Sequence, residues 1–405
     1  MYSTAAFTLL ASLSFFSLPV LAQATSKPSL IVFGDSLSDL NNRKYFTNQA
    51  YPVPLWYGHY SNGPVWNEYF SFFNSYSLIN FAVGGAVSND SFVNSISGAN
   101  ITLPSVNDQI SIFNKTFGNL YPNKTAIQND IGIIEIGSND INLSVSGIAS
   151  GNITFKEFSS GFIISITNAA QSFIKMGYRK LIFIDIPDAQ TIPSFAFIPA
   201  PLAPTIIDYI QRTNNLISQT AKILNSQNSA VDYVRVFSFF DSFKALVNPQ
   251  VTAALNITNT SDPCHVINAN ETELISSCSN PDQYLFIDGF HPHTRPHALL
   301  GAILSEFVKT QNFSLSTDVV LEIIKKYNIS SISSTSNPLF FANSSATGIL
   351  NINEYNVSNA IQNAKNIAQN KNDTPGTETK LGSANSIKNS LILIPTILIS
   401  LLILV

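Results

Sequence analysis

The chain reads as an α/β protein built on a doubly wound parallel sheet. Three observations carry that reading. Strand-like apolar runs alternate along the sequence with segments of helical periodicity. Several of the runs, Leu30 to Phe33 and, but for Asp185, Leu181 to Ile186 among them, are continuously apolar, as burial on both faces of a parallel sheet demands. Turn formers follow the runs directly, where loops at the carboxyl ends of strands converge to present chemistry.

Taken in order, Leu30 to Phe33 is the first strand, broken by Gly34-Asp35-Ser36. Asn41 to Pro64 is crowded with aromatics and turn formers and reads as loop. Val65 to Phe73 fits a helix packing Trp66, Tyr69, Phe70 and Phe73, and Ser77 to Val83 a second strand stopped by Gly84-Gly85. Val106 to Phe117 is amphipathic, and Ile131 to Ile136 is a strand ending in Gly137-Ser138-Asn139-Asp140. Phe155 to Met176 is the most regular helix, with Phe158, Phe162, Ile166, Ala170 and Phe173 near helical spacing. Leu181 to Ile186 and Val231 to Phe237 are further strands, while Pro204 to Asn225 and Arg295 to Thr310 are helices. The sum is a central sheet of about five strands in a three-layer, flavodoxin-like arrangement. The catalytic domain is expected over residues 26–313.

Neither end reads as core. Residues 1–22 are apolar, rich in small residues and close on Val20-Leu21-Ala22, so they are expected to be a signal peptide. Residues 314–382 are rich in Asn, Ser and Thr and are expected to form a partly disordered stalk, for want of apolar surface to offset ordering entropy. In residues 383–405, small polar residues precede the apolar run Leu391 to Val405, the pattern of a glycolipid-anchor signal removed on attachment; the alternative is a retained membrane span. Sequons recur from Asn89 to Asn372. Cys264 and Cys278, the only cysteines, are expected to pair as one disulfide in an oxidising compartment. Localisation is therefore expected to be extracellular, on the outer face of the plasma membrane or the cell wall.

The formal net charge is -4, which gives no reason to expect nucleic acid or an anionic membrane surface as partner. The protein is expected to be a monomer, with membrane contact only through the C-terminal anchor. No cofactor and no metal site are expected.

Serine hydrolysis needs an activated hydroxyl, a base, a group orienting that base and donors for the oxyanion. Ser36 follows the first strand at the expected start of a helix, where its N–H would be available. By itself, Gly-Asp-Ser there is more often a helix cap. Gly84 follows the second strand and lets a backbone N–H approach a substrate closely. Asn139 follows the third and offers a side-chain amide, with Asp140 beside it to fix the loop. Asp288 and His291 stand three apart around Gly289, near enough on a turn for the carboxylate to hold the imidazole. His293 and His297 are the nearby competitors. The elbow Gly-X-Ser-X-Gly does not occur, which counts against the α/β-hydrolase fold.

The ordered set Phe33-Gly34-Asp35-Ser36-Leu37-Ser38-Asp39, Ser61-Asn62-Gly63-Pro64-Val65-Trp66, Asn80-Phe81-Ala82-Val83-Gly84-Gly85-Ala86, Gly137-Ser138-Asn139-Asp140 and Asp288-Gly289-Phe290-His291-Pro292 resembles the GDSL esterase/lipase family of SGNH hydrolases. It is most similar to fungal-type secreted members that include carbohydrate acetylesterases. The resemblance spans Leu30 to Ala302 and implies that Ser36 is the nucleophile, His291 the base and Asp288 its orienter. It implies an oxyanion hole of the Ser36 and Gly84 N–H groups and the Asn139 amide, with Gly85 as the alternative to Gly84. Asn41-Asn42-Arg43 departs from the Thr-Gly-Asn that relatives often show.

The expected substrate is an ester, acetylated carbohydrate first, because the aromatic segment Tyr51 to Trp66 suits flat sugar faces; the same rings could equally be packing. The alternative is a lipase or lysophospholipase, which calls for an apolar patch that no loop between the blocks clearly supplies. A third reading is a catalytically silent anchored wall protein.

Overall fold

In the computed structural model, residues 28–47, 51–117, 124–268 and 272–341 are described. The expected signal peptide and anchor signal lie outside them, as does the expected stalk beyond residue 341.

Five parallel strands form the sheet: β1 (Ser29–Gly34), β2 (Ser77–Asn80), β3 (Ile131–Glu135), β4 (Lys180–Ile184) and β5 (Tyr233–Phe237), in the spatial order β2-β1-β3-β4-β5. Gly34 pairs with Glu135, and Glu135 with Ile184, so the carboxyl ends of the central strands finish level. The order reverses between β1 and β3, and a doubly wound sheet opens a crevice at such a switch point.

Because side chains alternate across a strand, each run supplies two cores at once. Ile31 and Phe33 face a layer built on Phe113, Phe158, Phe162 and Phe173. Leu30 and Val32 face the other, built on Trp66, Tyr69, Phe243, Leu300 and Ile303. The first layer contains α3 (Asp90–Ser97), α4 (Val106–Phe117), α5 (Ser138–Ala149), α6 (Phe155–Lys175) and α7 (Ala203–Gln227), which follow α1 (Asn42–Thr47) and α2 (Trp66–Asn74) in the chain. The second layer packs α2 with α8 (Phe239–Leu246), α9 (Pro249–Ala254), α10 (Thr294–Lys309) and α11 (Thr317–Lys326). α2 and α10 meet closely at Gly301: a Cβ there would lie 2.7 Å from the Trp66 carbonyl and 3.0 Å from the Phe70 nitrogen.

The expected helices and strands are present with ends moved by a few residues, as frayed and capped termini allow. Several features differ from expectation. The segment Asn41 to Pro64, read as loop, begins with the short helix α1. The second strand ends at Asn80, yet Phe81 and Val83 still donate to Val32 and Gly34 across the gap. The polar loop around the cysteines is an antiparallel ribbon, His265–Ile267 with Leu274–Ser277, and Cys264–Cys278 closes it. Packing also continues past the boundary expected at residue 313: Val320, Ile323, Ile324, Ile329 and Leu339 are buried in the second layer. The spaced apolar residues of this segment cover the outer face of α9 and α10, a role that composition alone conceals. Among the described residues no helix is long and apolar enough to cross a membrane.

Candidate active site

Ser36 lies just past the end of β1, in a turn that Ser38 N–H closes onto the Asp35 carbonyl at 3.1 Å. No helix starts here, contrary to the sequence expectation; the next one, α1, begins at Asn42. The Asp35 carboxylate takes the Leu37 N–H at 3.0 Å and so holds the turn from inside. Two side chains clamp it from below, Asn67 and Asn80, which both donate to the Ser38 carbonyl, at 2.8 and 2.7 Å.

His291 reaches this turn from the far end of the domain. Its Nε2 is 2.7 Å from Ser36 Oγ, and its Nδ1 is 2.8 Å from Asp288 Oδ2. Asp288 is fully buried and its Oδ1 also takes the N–H groups of Phe290 and His291, at 2.8 and 2.9 Å. Burial pushes its carboxyl up, but the His291 charge and these hydrogen bonds outweigh burial and hold it below the usual range. The block around Asn62 supports the loop: Asn62 Oδ1 accepts the Thr294 N–H at 2.8 Å, and Thr294 Oγ1 donates to the Pro64 carbonyl at 2.9 Å. The Tyr60 ring packs 4.8 Å from the imidazole.

His293 and His297 do not join this arrangement. Both are buried, and desolvation pushes each down to about 3, so they stay neutral packing groups. His297 Nδ1 accepts the Trp66 N–H at 3.3 Å, at the start of α2.

Asn139 stands at the start of α5 and faces the same cavity as Ser36. Its Nδ2 lies 2.9 Å from the Ala86 carbonyl and 3.3 Å from Asp35 Oδ2, the second contact being long and replaceable. Asp140 fixes the loop as expected, receiving the Ser88 N–H at 3.0 Å and its hydroxyl at 2.5 Å. Gly84 departs from expectation. Its N–H is committed to Asp39 Oδ2 at 2.7 Å, so it is not aimed at a substrate. Gly85 lines the cavity instead, with φ at +83°, a conformation that favours glycine. Asp39, which also receives the Asn42 and Arg43 N–H groups, therefore ties the turn after β1 to the turn after β2.

One buried group was missed in the sequence. Glu135 ends β3 beneath the Ser36 turn, accepts from Ser38 Oγ at 2.8 Å, and is pushed up to about 7 by burial. Its neighbour Asp35 is raised well above the usual range, by burial and by Glu135. The signal was present, since a glutamate interrupts an otherwise apolar run.

The cavity holds about 450 Å³. Besides Ser36, His291 and Asn139, its walls are mostly apolar, from Leu37, Ile186, Ile192, Phe195, Ile206 and Ile210. The loop between β4 and α7 thus supplies an apolar wall that reading between the motif blocks did not find, and it leaves Phe197 87% exposed at the rim. The aromatic segment is largely packing: Trp66 and Tyr60 are buried, whereas Tyr57 stays exposed. Among the described residues no group of His, Cys, Asp and Glu side chains is placed to hold a metal ion.

A curated relative, the thermolabile hemolysin of Vibrio parahaemolyticus, is 26% identical over 279 residues, which is 66% of this chain; the chain spans 60% of that relative's length. Among solved structures, a carbohydrate esterase family 2 enzyme of Corynascus thermopiles (Myceliophthora fergusii) has a TM-score of 0.37 and 12% identity, over 70% of this chain and 66% of that one. The lipase Lip_vut3 from a goat rumen metagenome has a TM-score of 0.36 and 13% identity, over 70% and 96%. Superpositions this loose carry no argument about substrate. The family model described as GDSL-like Lipase/Acylhydrolase matches residues 30–304, more than half of the sequence, and with that span the chain belongs to the GDSL-like lipase/acylhydrolase family.

Proposed function

We propose that this chain is a serine ester hydrolase working through an acyl-enzyme. The observation that carries the reading is the continuous relay Ser36 Oγ, His291 Nε2, His291 Nδ1, Asp288, with each link at 2.7 to 2.9 Å, beside a cavity open to a substrate. His291 takes the Ser36 proton as Oγ bonds to the ester carbonyl carbon. The tetrahedral oxyanion is met by the Ser36 and Gly85 N–H groups and by the Asn139 amide, which exchanges its long contact to Asp35 for the new partner. His291 then gives its proton to the departing alcohol as the C–O bond breaks. A water, deprotonated by the same imidazole, attacks the acyl-enzyme and frees the acid and Ser36.

The apolar wall supports an acyl group of several carbons better than acetyl, because such a chain would remove apolar surface from water along the cavity. Deacetylation of carbohydrate draws on Tyr51 at the cavity and exposed Tyr57, a weaker basis since Tyr60 and Trp66 are packed away. Secretion and surface anchoring belong to the same proposal. The disulfide and the exposure of the sequon residues Asn100, Asn114, Asn142, Asn152, Asn256 and Asn312 support them.

The test is fluorophosphonate labelling together with hydrolysis of acetylated xylo-oligosaccharide and of p-nitrophenyl acetate, butyrate and octanoate. Labelling that disappears in Ser36→Ala and rates that peak at butyrate or longer are expected. An unlabelled wild-type protein would overturn the hydrolase reading. Preference for the acetylated sugar would replace the acyl-chain reading by deacetylation.

A further inference from the structure

Asn142 opens the sequence Asn142-Leu143-Ser144, an acceptor for an N-linked glycan, and it lies on α5 among the residues that line the catalytic cavity. Among the described residues of that lining no other asparagine heads a sequon, since Asn139 is followed by Asp140 and Ile141. Residues three apart share a helix face, so Asn142 stands one turn along α5 from the Asn139 amide, with Val145 a turn further on the same stripe. Asn139 is half-buried, whereas Asn142 is exposed. Lining residues that are also exposed mark the mouth of the cavity: Asn142 from α5, Phe197 from the loop between β4 and α7, and Phe290 from the turn that carries His291.

Ser144 supplies a second, independent sign. Its side chain is fully buried, and its Oγ meets no hydrogen-bond partner among the described residues. A buried hydroxyl without a partner destabilises the fold, and an alanine would continue the helix without that cost. The acceptor motif needs a hydroxyl two residues after the asparagine. The glycan is attached to the extended chain, before α5 forms and buries that hydroxyl, so the group that is idle in the folded protein has its use earlier.

Resting on the hydrolase reading and on secretion through a glycosylating compartment, we propose that Asn142 is an N-glycosylation site whose glycan stands at the mouth of the catalytic cavity and restricts it to esters of small, dispersed alcohols. A glycan is bulky, hydrated and mobile. A small ester passes beside it to Ser36. A polymer chain or a lipid droplet must press against it across the mouth, which stills the glycan and strips its water, and both cost free energy. The apolar cavity then selects the acyl group, and the glycan selects the size of what carries it.

The test holds the acyl group fixed and varies its carrier. The full chain is expressed through the secretory pathway of a yeast, and the peptide containing Asn142 is weighed by mass spectrometry with and without peptide-N-glycosidase. A glycan on Asn142 is expected. Ser144→Ala removes the acceptor, leaves Asn142 in place and touches no residue of the relay. Its rate on p-nitrophenyl butyrate should stay within about twofold of wild type, while its kcat/KM on butyrylated dextran and on emulsified tributyrin should rise about tenfold, the scale of one or two mobile groups released from confinement. Endoglycosidase trimming of the native wild type should reproduce the rise and should add nothing to Ser144→Ala. Asn142→Gln is the second variant should Ser144→Ala not fold, and it should show the same rise relative to p-nitrophenyl butyrate. An unmodified Asn142 in a protein glycosylated at other sequons, or a carrier preference that neither variant nor trimming changes, would overturn the proposal. The readings beneath it fail differently: no glycan at any sequon would remove secretion and this proposal together, and an unlabelled Ser36 in the wild-type chain would remove hydrolysis.

Discussion

Replacing Asp288 by Asn probes the relay with the least disturbance to the fold. The side chain keeps its shape, and its Oδ1 can still take the Phe290 and His291 N–H groups now bonded at 2.8 and 2.9 Å. The other atom changes from an acceptor 2.8 Å from His291 Nδ1 to an NH2 donor. Oδ1, although 2.9 Å from Nδ1, is already taken by those two N–H groups, and the new NH2 cannot face a protonated Nδ1 beside the buried Asp288 position, so the imidazole is expected to move its proton to Nε2. Nε2 then donates to Ser36 Oγ and cannot take its proton. The same substitution in a serine protease triad lowers turnover by about 10⁴-fold, which at about 1.4 kcal/mol per tenfold is ~5 kcal/mol of transition-state stabilisation. The assay is initial-rate hydrolysis of p-nitrophenyl butyrate, with urea unfolding to establish that the variant is folded. A folded Asp288→Asn protein retaining more than about a tenth of the wild-type turnover would refute the orienting role.

Asn139→Ala removes an oxyanion donor and should lower kcat by about 10²–10³-fold with a smaller change in KM, measured on the same ester. Gly301→Val places a Cβ against the Trp66 carbonyl and Phe70 nitrogen, main-chain atoms that cannot swing aside, so α10 must move off α2; urea titration should show a loss of about 1–3 kcal/mol. Asp185 is pushed up to about 7 by burial, so the folded state keeps a proton that the unfolded chain releases near the ordinary value of 3.8. Its contribution is complete below pH 3.8 and declines as pH rises through 7; the stability of Asp185→Asn relative to wild type should therefore rise from pH 4 to pH 7, and a flat difference in chemical denaturation would contradict the shift.

How far the site could be read in advance varied with the distance over which each feature is decided. Ser36, Asn139, Asp288 and His291 each sit in a short motif after an apolar run or on a turn, and the structure brings them to one crevice because the parallel strands end level there. Gly84 and Gly85 could not be separated, since which N–H faces the cavity depends on Asp39, which is 45 residues away in sequence. The helix expected at Ser36 is a turn because Asp35 and Ser38 close it locally and Asn67 and Asn80 clamp it from other elements. Glu135 was readable only as an oddity in a strand; that it lies under the nucleophile follows from its pairing with Gly34.

By itself the sequence determined the sheet, its parallel sense and the chemistry on offer. Those depend on periodicities of two and 3.6 residues and on turn residues, all local properties. The tertiary structure decided what no local pattern carries. It placed His291 on Ser36 across 255 residues and buried His293 and His297 out of reach. It also folded residues 317–341 into the second layer and walled the cavity with side chains from α5, from α7 and from the loop between β4 and α7. Each of these is a burial or a hydrogen bond between distant segments, and its free energy exists only once the other segment has arrived.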